Sequence, residues 1–158
     1  MTKPLGSMQR VARDAERLGL DISIKEMDQS TRTAEEAAAA AGCEVAQIVK
    51  SLIFERGDDY SLVLVLVSGA HNADMTKLGS IVGAELQRAD PRKIREVTGF
   101  AIGGVSPIGH LTKLPIYMDE TLLDHKTIWA AAGKPNAVFK VDSQSLQQAI
   151  QARVRRVS

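Results

Sequence analysis

The amino-acid sequence predicts an α+β domain built on a mixed sheet. Three observations carry that expectation. Some stretches repeat apolar residues at helical spacing, others alternate with period two, and the two kinds follow one another without the strict strand–helix alternation of a doubly wound sheet. The run Leu62–Val67, LVLVLV, is too short to cross a bilayer but suits a strand. The length of 158 residues fits a single domain, residues 1–158, that buries roughly two-thirds of its unfolded surface.

In chain order, Met8, Val11, Ala12, Ala15 and Leu18 make one face of an amphipathic helix, with Ser7 as its cap, Gly19 as its stop, and Arg10, Arg13, Asp14 and Arg17 turned to solvent. DISIKEM alternates as a strand. STRTAEEAAAAAG reads as a helix capped by Thr33, with Glu36 three residues on and Gly42 ending it. IVKSLIFE and YSLVLVLV read as strands joined by the turn RGDD, and a short helix covers Met75 to Val82. Asp90-Pro91 starts a helix that stops at Gly99. LPIYMDE, KTIWAAA and NAVFKV read as strands, and Asp142 or Ser143 caps a last helix through Ile150.

Charge and composition narrow the function classes. The 44% hydrophobic and 25% charged content is that of a globular chain, and a net charge of +1 excludes a simple polycation. Basic residues cluster at Arg88, Arg92, Lys93 and Arg95 and again at Arg153, Arg155 and Arg156, where solvated helix faces are the plain explanation. The one cysteine, Cys43, allows no intramolecular disulfide, suits a reducing cytoplasm, and has no charged partner beside it to activate its thiol. The N-terminal MTKPLGSM lacks the apolar core of a signal peptide, so a soluble, cytoplasmic protein is expected.

Several residues have the chemistry for a site. The strand period places Lys50 on the face of Ile48, Leu52 and Phe54, where an ammonium is either a strand-end side chain reaching water or a fixed cation lining a pocket. TGFAIGGVSPIGHLTKLP, Thr98 to Pro115, is too apolar for a linker and too rich in turn formers for a helix. Gly103 and Gly104 allow close backbone approach to a ligand, and Pro107 holds the turn, although a structural turn accounts for the pattern equally well. The loop lacks the ending of a Walker A motif and the dinucleotide fingerprint. Ser106 and His110 have the residue types of a nucleophile and base without the nucleophile-elbow spacing. His71, His110 and His125 show no zinc-type spacing, so no metal or organic cofactor is expected. Asp119, Glu120 and Asp124 read as solvated charges at a strand end, with a paired-carboxylate acid/base role as the alternative, and Trp129 with Ala130 to Ala132 as either a roomy pocket wall or core.

In combination, IVKSLIF, ADPRKIREVTGFAIGGVSPIGH and LPIYMDE resemble the YbaK/EbsC-like family, the free-standing relatives of the bacterial prolyl-tRNA synthetase editing domain. The likeness runs in order from about Leu18 to the last helix, and the strand lysine with the Gly-x-x-x-Pro loop, Gly103 to Pro107, is its most specific part. The resemblance implies a curved, barrel-like mixed sheet flanked by helices, and an aminoacyl-tRNA deacylase that clears tRNA, tRNA-Pro above all, of a small wrong amino acid such as alanine, serine, cysteine or 2-aminobutyrate. It implies no covalent enzyme nucleophile. Lys50 and Gly103 would be catalytic; Gly104, Val105, Ser106, Pro107, His110 and Ala131 would line the substrate site. Met75 to Arg95 and the C-terminal arginines would meet the acceptor stem, and a prolyl-tRNA synthetase is a compatible partner. Family members acting on cysteinyl-tRNA carry a tyrosine where this chain has Ile24 and an aspartate where it has Val138, which speaks against thiol-assisted cleavage. Two rivals remain: a non-catalytic nucleotide or aminoacyl-ligand module of the same fold, and a serine-type esterase using Ser106 and His110.

Overall fold

A computed structural model describes residues 6–27 and 33–158; the N-terminal residues 1–5 read above for a leader, and Ser30, Thr31 and Arg32, lie outside the described residues. The elements are α1 (Ser7–Leu18), β1 (Ser23–Glu26), α2 (Ala34–Ala41), β2 (Val49–Arg56), β3 (Leu62–Ser68), α3 (Met75–Val82), β4 (Leu86–Arg88), α4 (Pro91–Thr98), β5 (Ile116–Asp119), β6 (Thr127–Ala131), β7 (Ala137–Asp142), α5 (Ser143–Ile150) and β8 (Arg153–Arg155). Short 3-10 turns occupy Val45–Gln47 and Glu120–Asp124.

Helix boundaries follow the caps. Thr33, Asp74, Asp90 and Asp142 each accept a backbone N–H at the start of α2, α3, α4 and α5. Asp142 rather than Ser143 caps the last helix. At α1 the cap position falls on Gly6, and Ser7 is already helical; the Gly6 N–H donates to Gln9 Oε1 in place of a side-chain cap.

The aliphatic run is the middle of the larger sheet, whose order is β4-β2-β3-β5-β8. All seven residues of β3 are buried because both its faces are covered. Leu62, Leu64 and Leu66 enter the main core with Phe100, Phe139 and Met118. Val63, Val65 and Val67 enter a second layer with Leu78 and Val82 of α3. The β4, β2 and β3 strands pair antiparallel, whereas β3, β5 and β8 run parallel, so the sheet is mixed as expected. A second, antiparallel sheet has the order β1-β7-β6. Among the described residues the two sheets share the main core and are bridged at Ile48 and Trp129, and they do not close into a barrel. Beta4 and β8, three residues each, are too short for a period-two pattern to mark them as strands.

The glycine-rich loop between α4 and β5 is packed from both sides. Arg10 of α1 donates to the carbonyls of Gly99 (2.6 Å) and Gly109 (3.2 Å) and lies over the Phe100 ring, 5.1 Å from its centroid. Asp14, one turn on, accepts the Gly109 N–H at 2.8 Å. The polar face of α1 thus holds the loop instead of facing only solvent. Ser106 is completely buried, and its Oγ accepts the Ile108 N–H at 3.3 Å. His110 Nε2 donates to the Ser106 carbonyl, its ring meets Phe100 edge-on at 5.2 Å, and its Nδ1 is buried with no protein partner.

Burial pushes the His110 imidazole below its ordinary value, against the opposing pull of the Ser106 carbonyl and of Asp14. The folded state therefore resists a proton that the unfolded chain takes up near pH ~6.5. Full stability is present above that pH and is lost as the pH falls from there toward the folded value. The thermal midpoint should drop more between about pH 7.5 and about pH 5 for wild type than for His110→Gln. Equal drops would mean that the ring is not held neutral.

Candidate functional site

A cleft of about 590 Å³ opens where the two sheets meet, a size within the range of small-ligand sites. Its walls come from the start of β2 (Val49 to Leu52), the alanine helix α2 (Ala34, Ala37), β6 (Trp129 to Ala131), the Ala137-Val138 pair of β7, and the loop at Ile102, Gly103 and Val105. The Ile48–Trp129 bridge joins the two sheets beside it, and small residues on α2 and β6 leave the room. Lys50 is the one ionisable side chain among the described residues lining it. Trp129 and Ala131 are pocket wall.

Of the residues assigned by resemblance to catalysis or to the substrate site, the structure brings four into this cleft: Lys50, Gly103, Val105 and Ala131. Gly103 sits exposed at the lip with φ of 91°, a conformation that favours glycine. Gly104 is buried against the backbone of Gly133, where an added Cβ would stand 3.1 Å from its carbonyl, so it brings the loop onto the β6–β7 turn. Pro107 and His110 line a different hollow, of about 330 Å³, between α1 and α5. Ser106 faces neither. His110 addresses the carbonyl of Ser106 and not its hydroxyl, so the nucleophile–base pairing of these two residues is not formed.

Two residues escape the linear pattern, one lining the cleft and one buried outside its lining. Ser51 Oγ is buried without a protein hydrogen-bond partner, at the junction between the cleft and a side lobe of about 300 Å³ that runs to Arg88. Such an orphan hydroxyl costs about 1–3 kcal/mol unless something bonds it. Asp119, read from sequence as a solvated charge, is 1% exposed. Burial alone would raise its carboxyl, yet hydrogen bonds from the Ser68 N–H, the Thr121 N–H and hydroxyl, and His71 outweigh that and hold it below its ordinary value.

Lys50 itself is half-buried, and its ammonium donates to the His71 carbonyl. Cys43 departs from reactivity: burial first, and the Glu44 charge second, push its thiol up. The two basic clusters lie at opposite edges of the larger sheet, Arg88 on β4 and Arg153 and Arg155 on β8. Arg153 stacks on Tyr117 at 5.8 Å, whereas Arg88 reaches the side lobe of the cleft. No group of three or more His, Cys, Asp or Glu side chains is placed to hold a metal among the described residues, and no described helix is long and apolar enough to cross a membrane.

Comparison with known proteins places these features in a family. A solved structure described as "a putative trans-editing enzyme for prolyl tRNA synthetase" is 43% identical with a TM-score of 0.89, covering 99% of this chain and 99% of its own. The protein named "Putative Cys-tRNA(Pro)/Cys-tRNA(Cys) deacylase EbsC" of Enterococcus faecalis is 29% identical over 103 residues, 65% of this chain and 62% of that one. The proline–tRNA ligase of Thermosipho melanesiensis is 37% identical over 108 residues, 68% of this chain but 19% of the ligase, so the likeness is to one segment of that enzyme. The family model for the aminoacyl-tRNA editing domain matches residues 28–149, which take in the strand lysine, the cleft and the loop, and the chain belongs to that family.

Proposed function

We propose that this protein hydrolyses, in trans, the ester of tRNA mischarged with a small amino acid, with tRNA-Pro as its first candidate. The single observation that carries the reading is the cleft, in which an editing-domain chain holds Lys50 and the Gly103 backbone across a space walled by alanines. The likeness to proteins named for trans-editing and for Cys-tRNA deacylation supports hydrolysis as the activity.

The chemistry asks little of side chains. An aminoacyl ester is already activated, so a site that orients it toward water or toward the neighbouring ribose hydroxyl, and stabilises the oxyanion, supplies most of what is needed. No histidine, cysteine or carboxylate lines the cleft among the described residues, which fits a mechanism without a covalent enzyme intermediate. Lys50 would bind the terminal adenosine phosphate or the developing negative charge, and Gly103 would present backbone atoms to the aminoacyl end. The Ser51 hydroxyl would meet a polar atom of the aminoacyl group. Val138 gives the cleft an apolar wall where the cysteinyl-specific relatives carry a carboxylate. Arg88 would lead the acceptor strand along the side lobe.

The reading is tested by timing tRNA-Pro charged with alanine, serine, cysteine, 2-aminobutyrate or proline. One or more small esters should be lost quickly while prolyl-tRNA is spared. Lys50→Ala should lower kcat/KM by about 100-fold or more, the scale of removing one oxyanion donor. Stable esters throughout, with the charged tRNA still bound, would make the protein a binding module.

Ser51→Ala should separate function from stability. Removing an unpaired buried hydroxyl should leave the melting temperature unchanged or higher, while kcat/KM falls about 10-fold as the substrate contact is lost. Loss of stability with activity retained would assign Ser51 to the core.

Ser106→Ala should keep near-wild-type hydrolysis at a stability cost of about 1 kcal/mol, and a fluorophosphonate should not label the protein. Labelling at Ser106 would restore the esterase reading.

A further inference from the structure

We infer that His71 and Asp119 are positioning residues for Lys50, acting through the turn that follows β3; the inference rests on Lys50 being the working cation of the deacylase. The Lys50 ammonium donates to the main-chain carbonyl of His71, so its place at the cleft wall is set by where that carbonyl stands. The turn is fixed from several directions. Gly69 N–H donates to the Ile48 carbonyl at 2.7 Å, and a Cβ on Gly69 would come within 2.5 Å of the Val45 carbonyl. The Ser68 hydroxyl donates to the Ala46 carbonyl at 2.8 Å and accepts the Ala70 N–H at 3.3 Å, and the His71 N–H donates to the Ser68 carbonyl at 2.9 Å.

The far side of the turn is pinned by one buried carboxylate. Asp119 Oδ2 accepts the Ser68 N–H at 3.1 Å and stands 3.2 Å from His71 Nδ1. The Thr121 hydroxyl donates to Asp119 Oδ1 at 2.8 Å, so its lone pair faces His71 Nδ1, also at 3.2 Å. Both neighbours of Nδ1 are therefore acceptors, which assigns the proton to that nitrogen. The imidazole works as a donor that ties the turn to β5. The carboxylate thus holds the turn at its first residue by a backbone amide and at its last by a ring. A general acid or base role is not part of this assignment, because the ring touches Asp119 and Thr121 and not the cleft lining.

The test compares His71→Ala, which keeps the carbonyl but removes the pin, with His71→Asn, whose side-chain amide can reproduce the Nδ1 donor. The ¹⁵N-labelled Lys50 ammonium resonance, assigned by its absence in Lys50→Ala, reports the tether without any need for turnover. In wild type it should exchange slowly. In His71→Ala it should move to the fast exchange of surface lysines while the backbone amide spectrum outside the turn stays in place, and in His71→Asn it should be largely restored. On the mischarged ester that wild type hydrolyses, kcat should fall about 10- to 100-fold in His71→Ala with KM little changed, and recover in His71→Asn. Asp119→Asn, scored by the same ammonium signal, should release the tether as well.

An ammonium that exchanges in wild type like a surface lysine would overturn the inference, whether or not either variant folds. So would an unchanged signal in His71→Ala accompanied by lost activity, because the ring would then act on its own account. If wild type hydrolyses no ester, the deacylase reading fails separately, and the ammonium signal still decides whether the network holds Lys50.

Discussion

The guanidinium of Arg10 is the contact on which the functional half of the molecule depends. The loop from Gly99 to Pro115 is glycine-rich and irregular, and such a segment loses a large conformational entropy when it takes one shape. Arg10 bonds two of its carbonyls, at Gly99 and Gly109, and covers the Phe100 ring between them. Asp14 adds the Gly109 amide from the next turn of the same helix. Between these two fixed glycines, Gly103 stands at the cleft lip while Gly104 presses on the Gly133 backbone. The first helix of the chain is thereby a wall brace for a site to which it contributes no lining residue.

That division explains what the sequence shows and what it hides. The α+β class, the caps of α2 to α5 and the central strand were readable because caps, alternation and continuous apolar runs are properties of neighbouring residues. Lys50 stood out because an ammonium among apolar residues breaks a local pattern. Arg10 and Asp14 read as solvent-facing because their partners lie 89 to 99 residues away in the chain. Asp119 read as a loop charge for the same reason: Ser68 and His71, which make its burial tolerable, lie 51 and 48 residues away. Beta4 and β8 are held as edge strands by ladder bonds to β2 and β5, and no side-chain pattern announces them. The resemblance to the editing family supplied the roles proposed for Lys50 and Gly103, which spacing alone left open between site and structure.

The apolar character of the cleft is itself a functional constraint. Discrimination by a hydrophobic pocket is worth only about 1–3 kcal/mol per methylene, so a synthetase that admits one small wrong amino acid cannot exclude it by fit alone. A second site gains by being small and by leaving catalysis to an ester that is already reactive. The alanines of α2 and β6 leave the space, Val138 adds an apolar side chain to the wall, and Ser51 leaves one buried hydroxyl without a protein partner there. A nucleophile or general base in such a space would act on every ester that entered, including the correct one. Among the described lining residues there is no histidine, cysteine or carboxylate to act in that way, so under the proposed activity selectivity falls to geometry.

Geometry, in turn, depends on how a single cation is held. A lysine in an apolar wall needs a partner, because burying an unpaired ammonium is expensive. A carboxylate partner would satisfy it and also cancel it, leaving little field for a phosphate or an oxyanion. A main-chain carbonyl bonds the ammonium through a dipole and leaves its full charge in place. The negative charge of this region is set back behind the turn, on Asp119, where its oxygens are taken up by Ser68, Thr121 and His71. The arrangement separates two tasks that one carboxylate beside Lys50 would confuse: Asp119 bonds the turn, and the ammonium, bonded to a carbonyl dipole, keeps its full charge at the cleft wall.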